Sequence, residues 1–187
     1  IKNLIPVIPA GSSDSASLDS VFELLNISGQ PAPLAKLMLI PDAWSKKSKT
    51  LSRDHQQLFN FLNSTMEPWD GPAAIAGTDN EWVIAATDRN GLRPMRYTIT
   101  KDKIICAGSE TGMIELDEKI ITSKGRLGPG EIIGVRIEKG KVFTNSQIKD
   151  FLAKEYKHFN NQIVELDKKF TIKNEKPVFS GEELRRR

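Results

Sequence analysis

The spacing of apolar residues changes character near Trp69. Before it, apolar side chains recur every three and four residues, the repeat of a helix with one buried face. Leu18, Val21, Phe22 and Leu25 follow Ser12-Ser13-Asp14, whose hydroxyls and carboxylate suit a helix N-cap. Gly29 stops that helix, and Pro31 and Pro33 hold the break. Leu34 to Ile40 is a short apolar run compatible with helix or strand, ended by Pro41. Leu51, His55, Leu58, Phe59 and Leu62 draw a second stripe, which predicts a helix from about Ser52 to Ser64.

Beyond Trp69 the apolar runs shorten and become rich in β-branched residues: Ala73 to Ala76, Trp82 to Thr87, Arg96 to Ile99, Ile104 to Ala107, Ile120 to Thr122, Ile132 to Ile137 and Lys141 to Thr144. Thr78-Asp79-Asn80, Arg89-Asn90-Gly91, Lys101-Asp102, Gly128-Pro129-Gly130 and Lys139-Gly140 separate them, with the residue types that tight turns require. Short connections favour antiparallel pairing and predict a meander of about six strands. Ser146 is expected to cap a last helix reaching roughly Phe159. Helices grouped before antiparallel strands make the fold class α+β, with helices packed on a sheet face. Residues 1–160 read as domain, and the polar, lysine-rich 161–187 as a linker toward a further module.

Composition narrows the function classes. Lys and Arg number 27 against 24 acidic residues, and the excess lies in scattered lysines and in Arg185-Arg186-Arg187. No aromatic platforms accompany it, so nucleic acid is not expected as a partner. The single cysteine excludes an internal disulfide framework. His55 and His158 stand far apart without ligands at metal-binding spacing, so no metal site is expected. No apolar run approaches the ~20 residues that span a bilayer. The opening Ile1-Lys2-Asn3-Leu4 and the closing Gly181-Glu182-Glu183-Leu184-Arg185-Arg186-Arg187 both read as cuts through a longer polypeptide.

Candidate chemistry is sparse. Cys106 lies in a strand-like run with no histidine near it in sequence, which describes a small buried hydrophobe better than a nucleophile. Asp14 suits a helix start, either as a cap or as a carboxylate receiving a ligand's ammonium group. Asp88-Arg89-Asn90-Gly91-Leu92-Arg93-Pro94 sets two arginines around a tight turn. They orient carboxylates of a substrate, or they belong to an internal salt-bridge cluster. Glu110, between Gly108 and Gly112, is expected to pair with one of them. Glu67-Pro68-Trp69-Asp70-Gly71-Pro72 either lines a site with its ring and acids or sets how the first strand enters the sheet.

The order of these motifs carries more than any one of them. Ser13-Asp14-Ser15-Ala16, Leu39-Ile40-Pro41-Asp42-Ala43-Trp44, Met66-Glu67-Pro68-Trp69-Asp70-Gly71-Pro72-Ala73-Ala74, the Asp88–Pro94 run and Gly125-Arg126-Leu127-Gly128-Pro129-Gly130 together resemble the large subunits of glutamate synthases. The likeness extends to the closing Gly181–Arg187 stretch. The Arg89–Pro94 stretch alone fits the wider class II amidotransferases, among them glutamine phosphoribosylpyrophosphate amidotransferase.

The resemblance implies an N-terminal-nucleophile fold, a four-layer αββα sandwich of which this chain is part. It implies hydrolysis of glutamine through a thioester on an N-terminal cysteine, whose own α-amino group is the base. An Asn-Gly oxyanion pair assists, and ammonia passes to a domain with FMN and an iron–sulfur cluster for transfer to 2-oxoglutarate. The nucleophile and oxyanion pair are expected upstream of Ile1, leaving no catalytic residue here and an inactive fragment. Asp14 and Ser13 carry over as substrate-binding residues, with Asp14 receiving the glutamine α-ammonium group. Arg89, Asn90, Gly91 and Arg93 carry over as supports of the site. Glutamine and the remainder of the large subunit are the implied partners, with no membrane, in the cytoplasm or a plastid. The alternatives are another class II amidotransferase, or a binding module of the same fold without enzymatic activity.

Overall fold

The computed structural model describes residues 5–42 and 51–157. Helix α1 (Asp14–Ile27) starts where Ser13 Oγ accepts the Ala16 N–H at 3.2 Å, satisfying one donor of the first turn. Helix α2 (Ala32–Leu39) resolves the ambiguous apolar run as helix, and every one of its residues is buried. A run buried on all sides, with Lys36 its one charged residue, carries no clear periodicity to separate helix from strand, so burial on every face explains why the pattern was mute. Helix α3 (Arg53–Thr65) is capped by Ser52 and buries His55, Leu58, Phe59 and Leu62, the predicted stripe.

Seven strands follow: β1 (Ala74–Thr78), β2 (Trp82–Thr87), β3 (Arg96–Thr100), β4 (Ile105–Gly108), β5 (Ile121–Arg126), β6 (Ile132–Arg136) and β7 (Lys141–Phe143). The last helix, α4 (Asn145–Glu155), is preceded by Thr144 rather than by the expected Ser146. Thr144 N–H donates to Gln147 Oε1 at 3.0 Å, so the start is set two residues earlier by a capping-box glutamine. The expected linker 161–187 and His158 lie outside the described residues.

All pairings are antiparallel, but the strands do not form one meander. They form two sheets, ordered β1-β2-β6-β7 and β4-β3-β5. β2 pairs with β6, with Ala85 opposite Ile133, so β3 to β5 leave as a separate sheet before the chain returns. The reason lies in β2, where Trp82, Ile84, Ala85 and Ala86 are all buried, so that both faces need cover.

One face packs on helices: Trp82, Ile84, Ala86 and Ile132 share a core with α1 to α4. The Trp82 ring meets Phe143 edge-on at 5.1 Å and Phe151 at 5.7 Å. On the other face, Ala85 and Ile133 pack against Met95 and Leu127, joined by Tyr97 and Ile105 of the second sheet. The described residues thus build a helical layer and two stacked antiparallel sheets, three of the four layers that the resemblance implies. No described helix is long and apolar enough to cross a membrane.

Candidate functional site

The Asp88–Pro94 turn is organised by a residue that the sequence reading treated only as a neighbour of the arginines. Asp88 is 2% exposed at the end of β2. Its Oδ1 accepts the Asn90 and Leu92 N–H groups at 3.0 and 3.1 Å, and its Oδ2 accepts those of Ala73 and Arg93 at 3.2 and 3.1 Å. Its main chain adds three more bonds: Asp88 N–H donates to Ala73 O, while Gly91 and Gly130 N–H donate to Asp88 O. Burial alone would push this carboxyl up. The N–H groups of Arg93, Leu92, Ala73 and Asn90 outweigh it and hold the carboxyl below the ordinary range.

Of the two readings of the arginines, the internal salt-bridge cluster is not formed among the described residues: the carboxylate binds backbone amides, and no ion pair there engages Arg89 or Arg93. Glu110 is exposed and forms no ion pair among the described residues, contrary to the pairing expected of it. Gly91 has a φ of +64°, the left-handed conformation that Asn-Gly turns require. A Cβ at Gly91 would come within 3.0 Å of Pro129 Cα, so the turn rests directly on Gly128-Pro129-Gly130.

Beneath these two turns lies a buried charge cluster. Lys36 of α2 is 1% exposed, and its Nζ donates to Gly130 O at 2.7 Å. Lys149 of α4 pairs with Asp42, and its ammonium also lies over the Phe59 ring at 5.8 Å. Burial lowers the Lys36 ammonium to about 8; Asp42 opposes that shift, Lys149 adds to it and Asp88 opposes it. Asp42 keeps one buried carboxylate oxygen without a hydrogen-bond partner among the described residues. This cluster had no sequence signal, because α2, residue 42 and α4 meet only in three dimensions.

Ser13 and Asp14 lie apart from that turn. Ser13 is the cap, while Asp14 is the first helical residue, exposed, with Oδ1 accepting the Ser15 N–H at 2.7 Å. Its other oxygen has no hydrogen-bond partner among the described residues. A carboxylate placed at the positive end of a helix and not enclosed by protein donors can receive an ammonium group. No described hydrogen bond joins Ser13 or Asp14 to the Arg89-Asn90-Gly91-Arg93 turn.

Other candidates take structural places. Cys106 sits half-buried on β4 opposite Thr98. Trp69 N–H donates to Leu39 O at 2.7 Å, tying the proline-bracketed segment to the end of α2. His55 Nε2 is 2.8 Å from Asp150 Oδ1, a tie between α3 and α4 that sequence reading did not find. No group of three or more His, Cys, Asp or Glu among the described residues is arranged to hold a metal ion.

Residues 1–161 match the family model described as glutamine amidotransferases class-II. The whole chain is 47% identical to the glutamate synthase [NADPH] large chain of Azospirillum brasilense, spanning 13% of that relative. Over 83% of its length it is 41% identical to ferredoxin-dependent glutamate synthase 2 of Synechocystis, covering 10% of it. Over 89% it is 38% identical to the glutamate synthase [NADH] of Saccharomyces cerevisiae, covering 8%.

Proposed function

Because this chain belongs to the class-II glutamine amidotransferases, we propose that it forms part of the glutamine-hydrolysing domain of a glutamate synthase. What carries this reading is likeness to glutamate synthase large chains along the whole chain, rather than to the Arg89–Pro94 turn shared with other amidotransferases. Glutamate and ammonia are the products, and the ammonia is transferred to 2-oxoglutarate elsewhere in the longer protein. The cysteine nucleophile and the oxyanion pair come from upstream of Ile1. FMN and an iron–sulfur cluster belong to other parts of that polypeptide, since such clusters are held by several thiolates and this chain has one cysteine. The protein works in the cytoplasm or a plastid.

Within the pocket, Asp14 receives the α-ammonium group of glutamine, and Ser13 fixes it by capping the helix on which it stands. The Asp88-centred turn supports the site through Arg89, Asn90, Gly91 and Arg93. The test is Asp14→Ala in the complete gene product. Losing a charge-assisted hydrogen bond worth about 1.5–3 kcal/mol should raise the KM for glutamine by about tenfold or more. Glutamate formation from free ammonia should stay within about twofold, because ammonia bypasses the glutamine pocket. An unchanged KM for glutamine would leave Asp14 as a helix-end residue only.

A further inference from the structure

Strands β3 and β5 set Arg96 directly opposite Arg126. Side chains paired across an antiparallel ladder project to the same face a few ångströms apart, and like charges placed so repel. Both arginines are exposed, and no ion pair among the described residues engages either. Two residues along the same face the charge is balanced: Lys124, opposite Thr98, binds Glu118 at 3.0 Å.

The turn leading into β3 adds Arg89 and the exposed Arg93, which also lack acidic partners. Asp88 forms no ion pair with them, its two oxygens being taken up by four backbone N–H groups. Beside Arg96 a cavity of 670 Å³ opens over β3 and β4, lined by Thr98, Cys106 and Met113 and by the acidic Glu110, Glu115 and Glu118, none of which forms an ion pair with Arg96 or Arg126. No helix among the described residues packs extensively on this sheet.

We infer that Arg96 and Arg126, flanked by Arg93, form a docking surface for a carboxylate-bearing segment of the same gene product. Guanidinium forks bind carboxylates bidentately, and an acidic segment lying across the pair would replace repulsion with attraction. The chain spans 13% of its Azospirillum relative, so most of the surface in a protein of that kind lies in other segments. The inference rests on the proposal that this chain is one part of a longer protein. It does not depend on which reaction that protein catalyses.

The sign of one substitution separates a docked pair from a solvated one. In the complete gene product, amide hydrogen exchange is followed over residues 121–126 for the unaltered protein, Arg126→Gln and Arg126→Lys. A docked acidic segment predicts that Arg126→Gln loses protection by about threefold or more. The loss should shrink in about 0.5 M salt, and Arg126→Lys should keep most of the protection. A solvated pair predicts the opposite, since removing one like charge relieves repulsion, and unchanged or increased protection in Arg126→Gln overturns the proposal.

Two further outcomes also overturn it. Equal loss in Arg126→Lys would assign the effect to shape. Added inorganic phosphate that raises protection in the unaltered protein but not in Arg126→Gln would make the pair a small-anion site. Where Arg126→Gln does not accumulate, Arg96→Gln gives the same reading over residues 96–100. Glutamine turnover by the unaltered protein is measured alongside. Its absence sinks the glutaminase proposal and leaves the exchange result to stand or fall separately.

Discussion

Asp88 and Lys36 are buried charges of opposite kinds, and their surroundings give them opposite effects on stability. The Asp88 carboxylate meets four N–H donors in geometry that an amide cannot reproduce, because one end of an amide is itself a donor. Asp88→Asn should therefore cost about 2–3 kcal/mol in urea unfolding at neutral pH. Its folded pKa lies below the ordinary 3.8, so this stability is fully present above pH 3.8. It is lost as pH falls through the lower folded value, and the gap between the unaltered protein and Asp88→Asn should close over that range. A gap that persists unchanged in acid would mean the carboxylate charge is not what holds the turn.

Lys36 works the other way. Its folded value of about 8 lies below the ordinary 10.5, so the unfolded chain binds the proton more tightly between those limits. Its charge therefore opposes folding at neutral pH, and that penalty is relieved as pH rises from about 8 to 10.5. Asp42 keeps Lys149 as partner when Lys36 is removed, so Lys36→Met orphans only the Gly130 carbonyl. Replacing a buried charge by a well-packed apolar side chain is commonly neutral to stabilising by about 1–4 kcal/mol. Lys36→Met should raise the thermal midpoint at pH 7, and the advantage should narrow toward pH 10.5. A fall in the midpoint at pH 7 would show that the Lys36–Gly130 bond outweighs the cost of burying the charge.

At the scale of elements, the 88–93 and 128–130 turns are pressed together. Gly91 and Gly140 both have positive φ, +64° and +53°, but a Cβ at Gly140 meets nothing within 4 Å. Gly140→Ala should cost only the left-handed backbone penalty of about 1–2 kcal/mol. Gly91→Ala carries the same penalty and also drives the turn off Pro129, so it should cost at least about 1 kcal/mol more in unfolding titrations. Equal costs would mean that the 88–93 and 128–130 turns are not in firm contact. The helices were legible where one face meets solvent, as in α1 and α3, because burial on one side imprints a three-to-four repeat. α2 was not, and neither was the use of Thr144 as the α4 cap, which turns on Gln147 reaching back to one amide.

At the scale of the molecule, the strand positions followed from alternation and turn chemistry, whereas their partnering did not. β2 is followed in sequence by β3 but pairs with β6, because a strand buried on both faces must be covered by helices on one side and a second sheet on the other. Local pattern records how deeply a residue is buried and does not record against what. By itself the sequence determined the α+β class, the places of most elements, the Asn-Gly turn and, through the order of its motifs, the family. Only the tertiary structure decided that Asp88 rather than either arginine organises that turn, that Lys36 and Lys149 share a buried cluster with Asp42, and that Arg96 faces Arg126. Those contacts join residues up to 107 positions apart, and their energies arise from desolvation and distance, which exist only once the chain has folded.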